Sequence, residues 1–209
     1  MGKLAAQKRA GGFSNTSKMP SKSWGTSAAD CKTGGKLRTV AGSACAGCYA
    51  HKGAYLWTPT KRAHARRSAA ALQSEQWRTD MIEGIGSDQY FRWFDSGDLR
   101  DLQHLQDIVT IARQTPETSH WLPTQERGIL KAYKRAGGII PDNLVVRVSR
   151  AMIDATAGTQ HGENESVVLA DREPQAGESL CPAYTQDAEC RDCRACWDKN
   201  TTTIAYPKH

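Results

Sequence analysis

Seven cysteines carry most of the chemistry that this 209-residue chain offers, and they fall toward its two ends. Near the carboxyl terminus, ECRDCRACWD sets Cys190, Cys193 and Cys196 at two-residue gaps, with a Cys-Pro pair, Cys181 and Pro182, upstream. Near the amino terminus, DCKTGGKLRTVAGSACAGCYAHKGAY carries Cys31, Cys45 and Cys48. Seven is odd, so complete disulfide pairing is excluded, and in a reducing cytoplasm such clusters point to metal before disulfides. A C-x2-C-x2-C turn with a further Cys-Pro is a spacing that bacterial ferredoxins use for a 4Fe–4S cluster, although here the Cys-Pro precedes the triplet. A cube several Å across takes one thiolate on each iron, and Cys181, Cys190, Cys193 and Cys196 are the expected four. Tetrahedral zinc more usually takes two C-x2-C pairs, of which Cys45 and Cys48 would be the second, and stays open as the alternative. The upstream three leave two readings. They hold a second cluster with one iron free for a ligand, or they join the C-terminal set in a single site with some cysteines merely buried.

The elements that must position these residues show in the periodicity. Residues 58–85 open on Thr-Pro and run long and Ala-rich, which predicts a helix. YFRWF (90–94) reads as a strand, and Leu99, Leu102, Leu105, Ile108, Ile111 and Ala112 recur at helical spacing. HWLPT (120–124), NLVVRVS (143–149) and ESVVLA (165–170) read as strands, with ERGILKAYKRAGG as a helix closed by a Gly pair. Alternation of strand and helix predicts parallel βαβ units, and too few of them for a closed eightfold barrel. The expected fold is therefore α/β, as a partial (βα) barrel or an open parallel sheet, with Cys-rich metal-binding loops at both ends of the chain. Residues 1–22 read as a flexible basic arm and 23–209 as one domain.

In such folds functional groups collect where parallel strands end. The loops there hold Asp95, Ser96 and Asp98, then Gln125 and Arg127, then Arg147 and Arg150 flanking a strand end. The acids suit an amine or hydroxyls, and the arginines a carboxylate or phosphate. Asp and Ser after a strand are equally ordinary turn and cap residues.

Charge is uneven. Residues 1–70 hold thirteen Lys and Arg against one acid, a net +12, while 71–209 hold fifteen against twenty-one, a net −6. That asymmetry suggests nucleic acid or a phosphorylated small molecule as partner, or else a merely solvated basic face. Lys61, Arg62, Arg66 and Arg67 on the predicted helix are the expected phosphate contacts. The six tryptophans read as packing residues, with Trp197 a shield for the neighbouring cysteines. His51, His64, His104, His120, His161 and His209 show no metal-binding spacing. Nothing in the chain has the length and apolarity of a membrane span, and a cytoplasmic protein is expected.

SACAGCYAHKGAY, YFRWFDSGDLRDL, HWLPTQER and ECRDCRACWD with its terminal His209 resemble the bacteriophage gene product 88 family from about Ser23 to the end. The chain is also distantly similar to the phage gene product 37/68 family, which has a C-x-x-C-Y-A motif and is regarded as radical-SAM-like. That second resemblance implies a partial barrel, Cys31, Cys45 and Cys48 as ligands of a 4Fe–4S cluster, and S-adenosylmethionine as a cofactor whose amino group meets DSGD. Here the first cysteine gap is thirteen residues, and the aromatic residue, Tyr49, follows the last cysteine. Together these readings lead to the expectation of an iron–sulfur enzyme acting on a nucleotide or nucleic acid in the host cytoplasm, or of a non-catalytic iron–sulfur or zinc protein that binds nucleic acid.

Overall fold

The computed structural model describes residues 2–156 and 163–208. Helix α1 spans Lys3–Arg9, strand β1 Ser14–Asn15, β2 Lys22–Trp24 and helix α2 Lys32–Leu37. Two short 3-10 turns, Tyr49–His51 and Gly53–Leu56, lead into α3 (Thr58–Ala71) and α4 (Ser74–Ile85). Then come β3 (Tyr90–Trp93), α5 (Leu102–Gln114), β4 (Ser119–Thr124), α6 (Arg127–Arg135), β5 (Leu144–Ser149) and β6 (Asn164–Leu169). The chain finishes with β7 (Glu178–Leu180) and β8 (Thr203–Pro207).

The eight strands form one open sheet in the order β1-β2-β3-β4-β5-β6-β8-β7, parallel throughout except for β1 against β2. From β2 to β6 the strands lie side by side in chain order. Right-handed crossovers between such strands place every connecting helix on the same face. The side chains obey this. Trp24, Phe91, Trp93, Leu122, Leu144, Val146 and Val148 share a core with apolar residues of α4, α5 and α6. Alternate residues point the other way, and Arg92, Trp121, Arg147 and Tyr206 line a second face that carries no α-helix among the described residues. Cys196, Trp197 and their neighbours cover that face instead.

Several expectations change on contact with the structure. The helix predicted over 58–85 is two helices, broken where Gln73 leaves helical geometry (φ −90, ψ 53). Asp101, one turn after Asp98, caps α5 by accepting from the His104 amide at 2.8 Å. Residues 3–15, expected within a flexible arm, are packed on the body. Ala6 and Ala10 are fully buried, small enough to let α1 lie close on α4 around Gly84. Lys3 pairs with Asp88 at 2.6 Å and Arg9 with Asp80 at 2.7 Å, so part of the basic front meets the acidic body inside one molecule. Arg67 is buried and donates to the Gly12 carbonyl and the Ser14 hydroxyl, which holds the segment down. Among the described residues, no helix is long and apolar enough to cross a membrane.

Candidate metal and strand-end site

The seven thiols gather as two groups. Cys31, Cys45 and Cys48 feel one another's charge, and so do Cys181, Cys190, Cys193 and Cys196. All seven are unpaired and partly buried.

The first group sits over the ends of β3 and β4. Gly34 packs against it: a Cβ there would stand 3.5 Å from Cys45 Sγ and 3.8 Å from Cys31 Sγ. The α2 turn that carries Gly34 is fixed by Glu126, whose carboxylate accepts from the Thr33 amide at 2.7 Å and its hydroxyl at 2.8 Å. Burial pushes the Cys31 thiol up to about 12, with Asp98 adding to the rise, and burial with the charge of Cys48 pushes Cys45 up to about 11. The Gln125 side chain hydrogen-bonds Cys45 and favours its thiolate. Such thiols ionise readily only when a cation takes the proton's place.

Beside them lies the DSGD loop. Asp98 accepts from the Leu99 and Gln125 amides and the Thr124 hydroxyl, yet burial pushes its carboxyl up to about 7. Asp95 is different. It is 5 % exposed, its Oδ1 is buried without a hydrogen-bond partner, and the Ser96 hydroxyl beside it is buried and unpartnered too. A buried polar atom left without a partner costs about 1–3 kcal/mol, and these two lie side by side in one loop among twelve such atoms in the described residues. The fold goes to some length to hold them. A side chain at Gly25 would run into Asp95 Oδ1 and the Ser96 carbonyl, and one at Gly97, which has φ +80, would run into Thr26. Tyr49 and Tyr55 both donate to the Asp95 carbonyl, at 2.9 and 3.3 Å, which joins the loop to the segment after Cys48.

The second group lies on the helix-free face. Arg147 is fully buried and donates to the carbonyls of Ala195, Asp198 and Thr201 at 2.8 Å and of Cys196 at 3.1 Å. Its donors thus organise the cysteine loop rather than point at a strand-end ligand. Trp197 donates to the Phe91 carbonyl at 3.0 Å and packs between Tyr90 and Trp121. It anchors the loop to the sheet. Cys196, its thiol pushed up to about 11 by burial, lies 3.3 Å from the Tyr206 hydroxyl.

Arg92 stands between the groups. One guanidinium nitrogen is 3.4 Å from the Tyr49 hydroxyl, next to Cys48, and its charge favours the thiolates of Cys190 and Cys196. It lies over the Trp121 ring at 4.6 Å, its Nε is buried without a partner, and no carboxylate among the described residues forms an ion pair with it. Arg147 and Arg194 add positive charge beside Cys196 and Cys190, and Lys18 beside Cys181, so the C-terminal thiols lie in a cationic setting that favours their thiolates. Among the described residues, no three Cys, His, Asp or Glu side chains converge tightly enough to hold a single ion. One zinc needs all its ligands about 2.3 Å from a point, whereas a cube spreads its thiolates over several Å.

Of the other expected site residues, Arg127 lies 3.6 Å from Glu165, and Arg150 pairs with Glu165 and Glu178. Lys61, Arg62 and Arg66 are exposed, whereas Arg67 is turned inward. His104 and His120 are buried on the helix side, and His161 and His209 lie outside the described residues. Sequence reasoning missed Arg92, Gly25 and Tyr55. Arg92 was legible only as the polar member of an alternating strand.

A sequentially wound α/β sheet with three thiols at its strand ends and four on its bare face defines a cysteine-rich α/β protein. Residues 2–199 match the family described as Gene product 88, and the chain belongs to that family. No curated protein matches it, and no solved structure does.

Proposed function

We propose that the chain is a two-cluster iron–sulfur enzyme of the radical-SAM-like kind, acting on a nucleotide or nucleic acid, with Cys31, Cys45 and Cys48 at its catalytic centre. The observation that carries this reading is the unpartnered Asp95 Oδ1, held beside a three-thiol group at the carboxyl ends of parallel strands. Parallel α/β folds place their chemistry there. A 4Fe–4S cube bound by three thiolates supplies one open iron for a ligand and an electron for reductive cleavage.

The chain's own groups do the rest. Asp95 and Ser96 would hold the amino group of S-adenosylmethionine, with the Asp95 carboxylate as acceptor. Tyr49 and Tyr55 fix the Asp95 backbone, and Gly25 lets the carboxylate come close. Asp98 and Gln125 set the position of the loop against Cys45. Arg92 offsets the negative charge of both thiolate groups. Cys181, Cys190, Cys193 and Cys196 hold the second cluster, which orders the segment covering the bare face of the sheet.

The test is anaerobic turnover. Reduced protein given S-adenosylmethionine should yield 5′-deoxyadenosine, and Asp95→Asn should lose that product while keeping its iron. Iron-replete protein that gives no 5′-deoxyadenosine, and no change in its EPR signal on adding the cofactor, would leave a non-catalytic iron–sulfur protein.

A further inference from the structure

Between Cys31 and Ser74 the chain has eight lysines and arginines and not one acid. Arg67 is buried, and the other seven are exposed. Among the described residues none of the seven pairs with a carboxylate, although Lys3, Arg9, Arg150 and Arg172 elsewhere all do. Side-chain contacts join this stretch into one surface. Arg38 meets His51 at 3.4 Å, Tyr49 packs on Tyr55 with ring centres 5.5 Å apart, and Tyr55 stacks on His64 of α3 at 6.2 Å. On α3, His64, Arg67 and Ala71 face inward, which leaves Arg62 and Arg66, one turn apart, on the outer stripe.

The same surface is apolar as well as basic. Trp57 is 66 % exposed, Tyr49 54 % and Leu56 51 %, with Val40 nearby in sequence at 43 %. A tryptophan two-thirds exposed leaves much of its apolar ring in water, and aromatic rings among unpaired cations are what strand-tracking proteins present to bases and phosphates.

We infer that this acid-free surface binds single-stranded nucleic acid, with Lys52, Lys61, Arg62 and Arg66 on phosphates and Trp57 stacked on a base. This names the substrate class for the strand-end site and rests on the preceding proposal for any chemistry, but the binding itself needs no turnover. Single strands are favoured over duplex because only unstacked bases offer a face to Trp57. Tyr49 follows Cys48 directly and reaches Asp95, so a strand on this surface leads toward the three-thiol group.

The experiment uses protein as purified, its iron measured separately, with a fluorescein-labelled 20-mer single strand, the same sequence as duplex, and anionic phosphatidylserine vesicles. The single strand should bind more tightly than the duplex, and its affinity should fall with salt. Trp57→Ala should weaken single-strand binding about tenfold or more with the salt slope unchanged. Arg62→Gln with Arg66→Gln should lower the slope by about 1.4, since each phosphate contact on a single strand contributes about 0.7. All three substituted residues are exposed, so the fold should survive. Equal affinity for duplex, no effect of Trp57→Ala, or binding to vesicles without binding to the oligonucleotide would each overturn the inference. Trp57-dependent binding by an iron-free preparation would uphold it while counting against the cluster assignment.

Discussion

Arg147, Trp197 and Tyr206 tie down the loop that carries Cys190, Cys193 and Cys196, where Trp121 Nε1 and Gln186 Nε2 are also buried without partners, whereas Cys31, Cys45 and Cys48 lie beside a loop whose Asp95 Oδ1 and Ser96 hydroxyl are unpartnered. The difference extends outward. Around the C-terminal half, Arg150, Glu165, Arg172 and Glu178 form a closed network of ion pairs. Around the N-terminal group, seven exposed cations have no carboxylate to pair with among the described residues. Fully paired polar networks rigidify, whereas unpaired surface cations stay free to meet an anion. The comparison shows the same residue type in two settings: four thiols in a loop held by Arg147 and Trp197, and three beside a strand-end loop with a buried acceptor left over.

The largest effect expected from breaking this contrast is at Arg147. Arg147→Leu strips a buried cation from four close carbonyl acceptors and should cost about 4 kcal/mol. Limited proteolysis should then open residues 181–202 first, while Cys31, Cys45 and Cys48 keep their resistance to alkylation. Equal loosening of both groups would mean that they are not separate units.

Next is the ion-pair network. Arg172, together with the Gln175 amide and Arg150, holds the Glu178 carboxyl down to about 2, from an ordinary value of 4.5. A carboxyl depressed in the folded state contributes stability above its unfolded value and loses it as pH falls from about 4.5 toward 2. At about 1.4 kcal/mol per pKa unit this is about 3 kcal/mol. Urea midpoints should therefore drop between pH 5 and 3 for the wild type and change less over that range in Glu178→Gln. Parallel curves for the two would remove the network from the explanation.

The smallest test compares two arginines on α3. Arg67→Gln removes donors to the Gly12 carbonyl and Ser14 and should cost about 2 kcal/mol, whereas Arg62→Gln should stay within about 0.5. Thermal melts of the two variants separate a structural from a solvated cation on one helix.

Much of this was legible in the residues. Strands 90–94, 120–124, 143–149 and 165–170 and helices α5 and α6 stand within a few positions of where periodicity placed them, because each carries a full apolar face. The grouping of cysteines as four and three was legible from spacing, and Asp95 and Ser96 from their place after a strand. The strands β1, β2, β7 and β8 were not, since most of them lie in Gly-, Ser- and charge-rich stretches with no alternating apolar run, and β2 pairs with β3 almost seventy residues on. Helix α1 was hidden for another reason: its stability comes from Asp80 and Asp88, more than seventy residues away, and not from its own composition. Arg67 and Arg147 read as ligand-binding cations because sequence shows charge and not direction. In space both point at backbone carbonyls. Trp57 misled in the opposite sense, as a presumed packing residue that is two-thirds exposed.

The central claim is that the two thiol groups are two separate clusters, and iron per chain tests it most directly. Anaerobically purified protein should carry about eight irons and as much sulfide, four for each cube. Cys45→Ala and Cys193→Ala should each fall to about four, the first keeping the C-terminal cluster and the second the strand-end one. A wild type with about four irons, or with zinc in their place, or a single substitution that empties both groups, would contradict it.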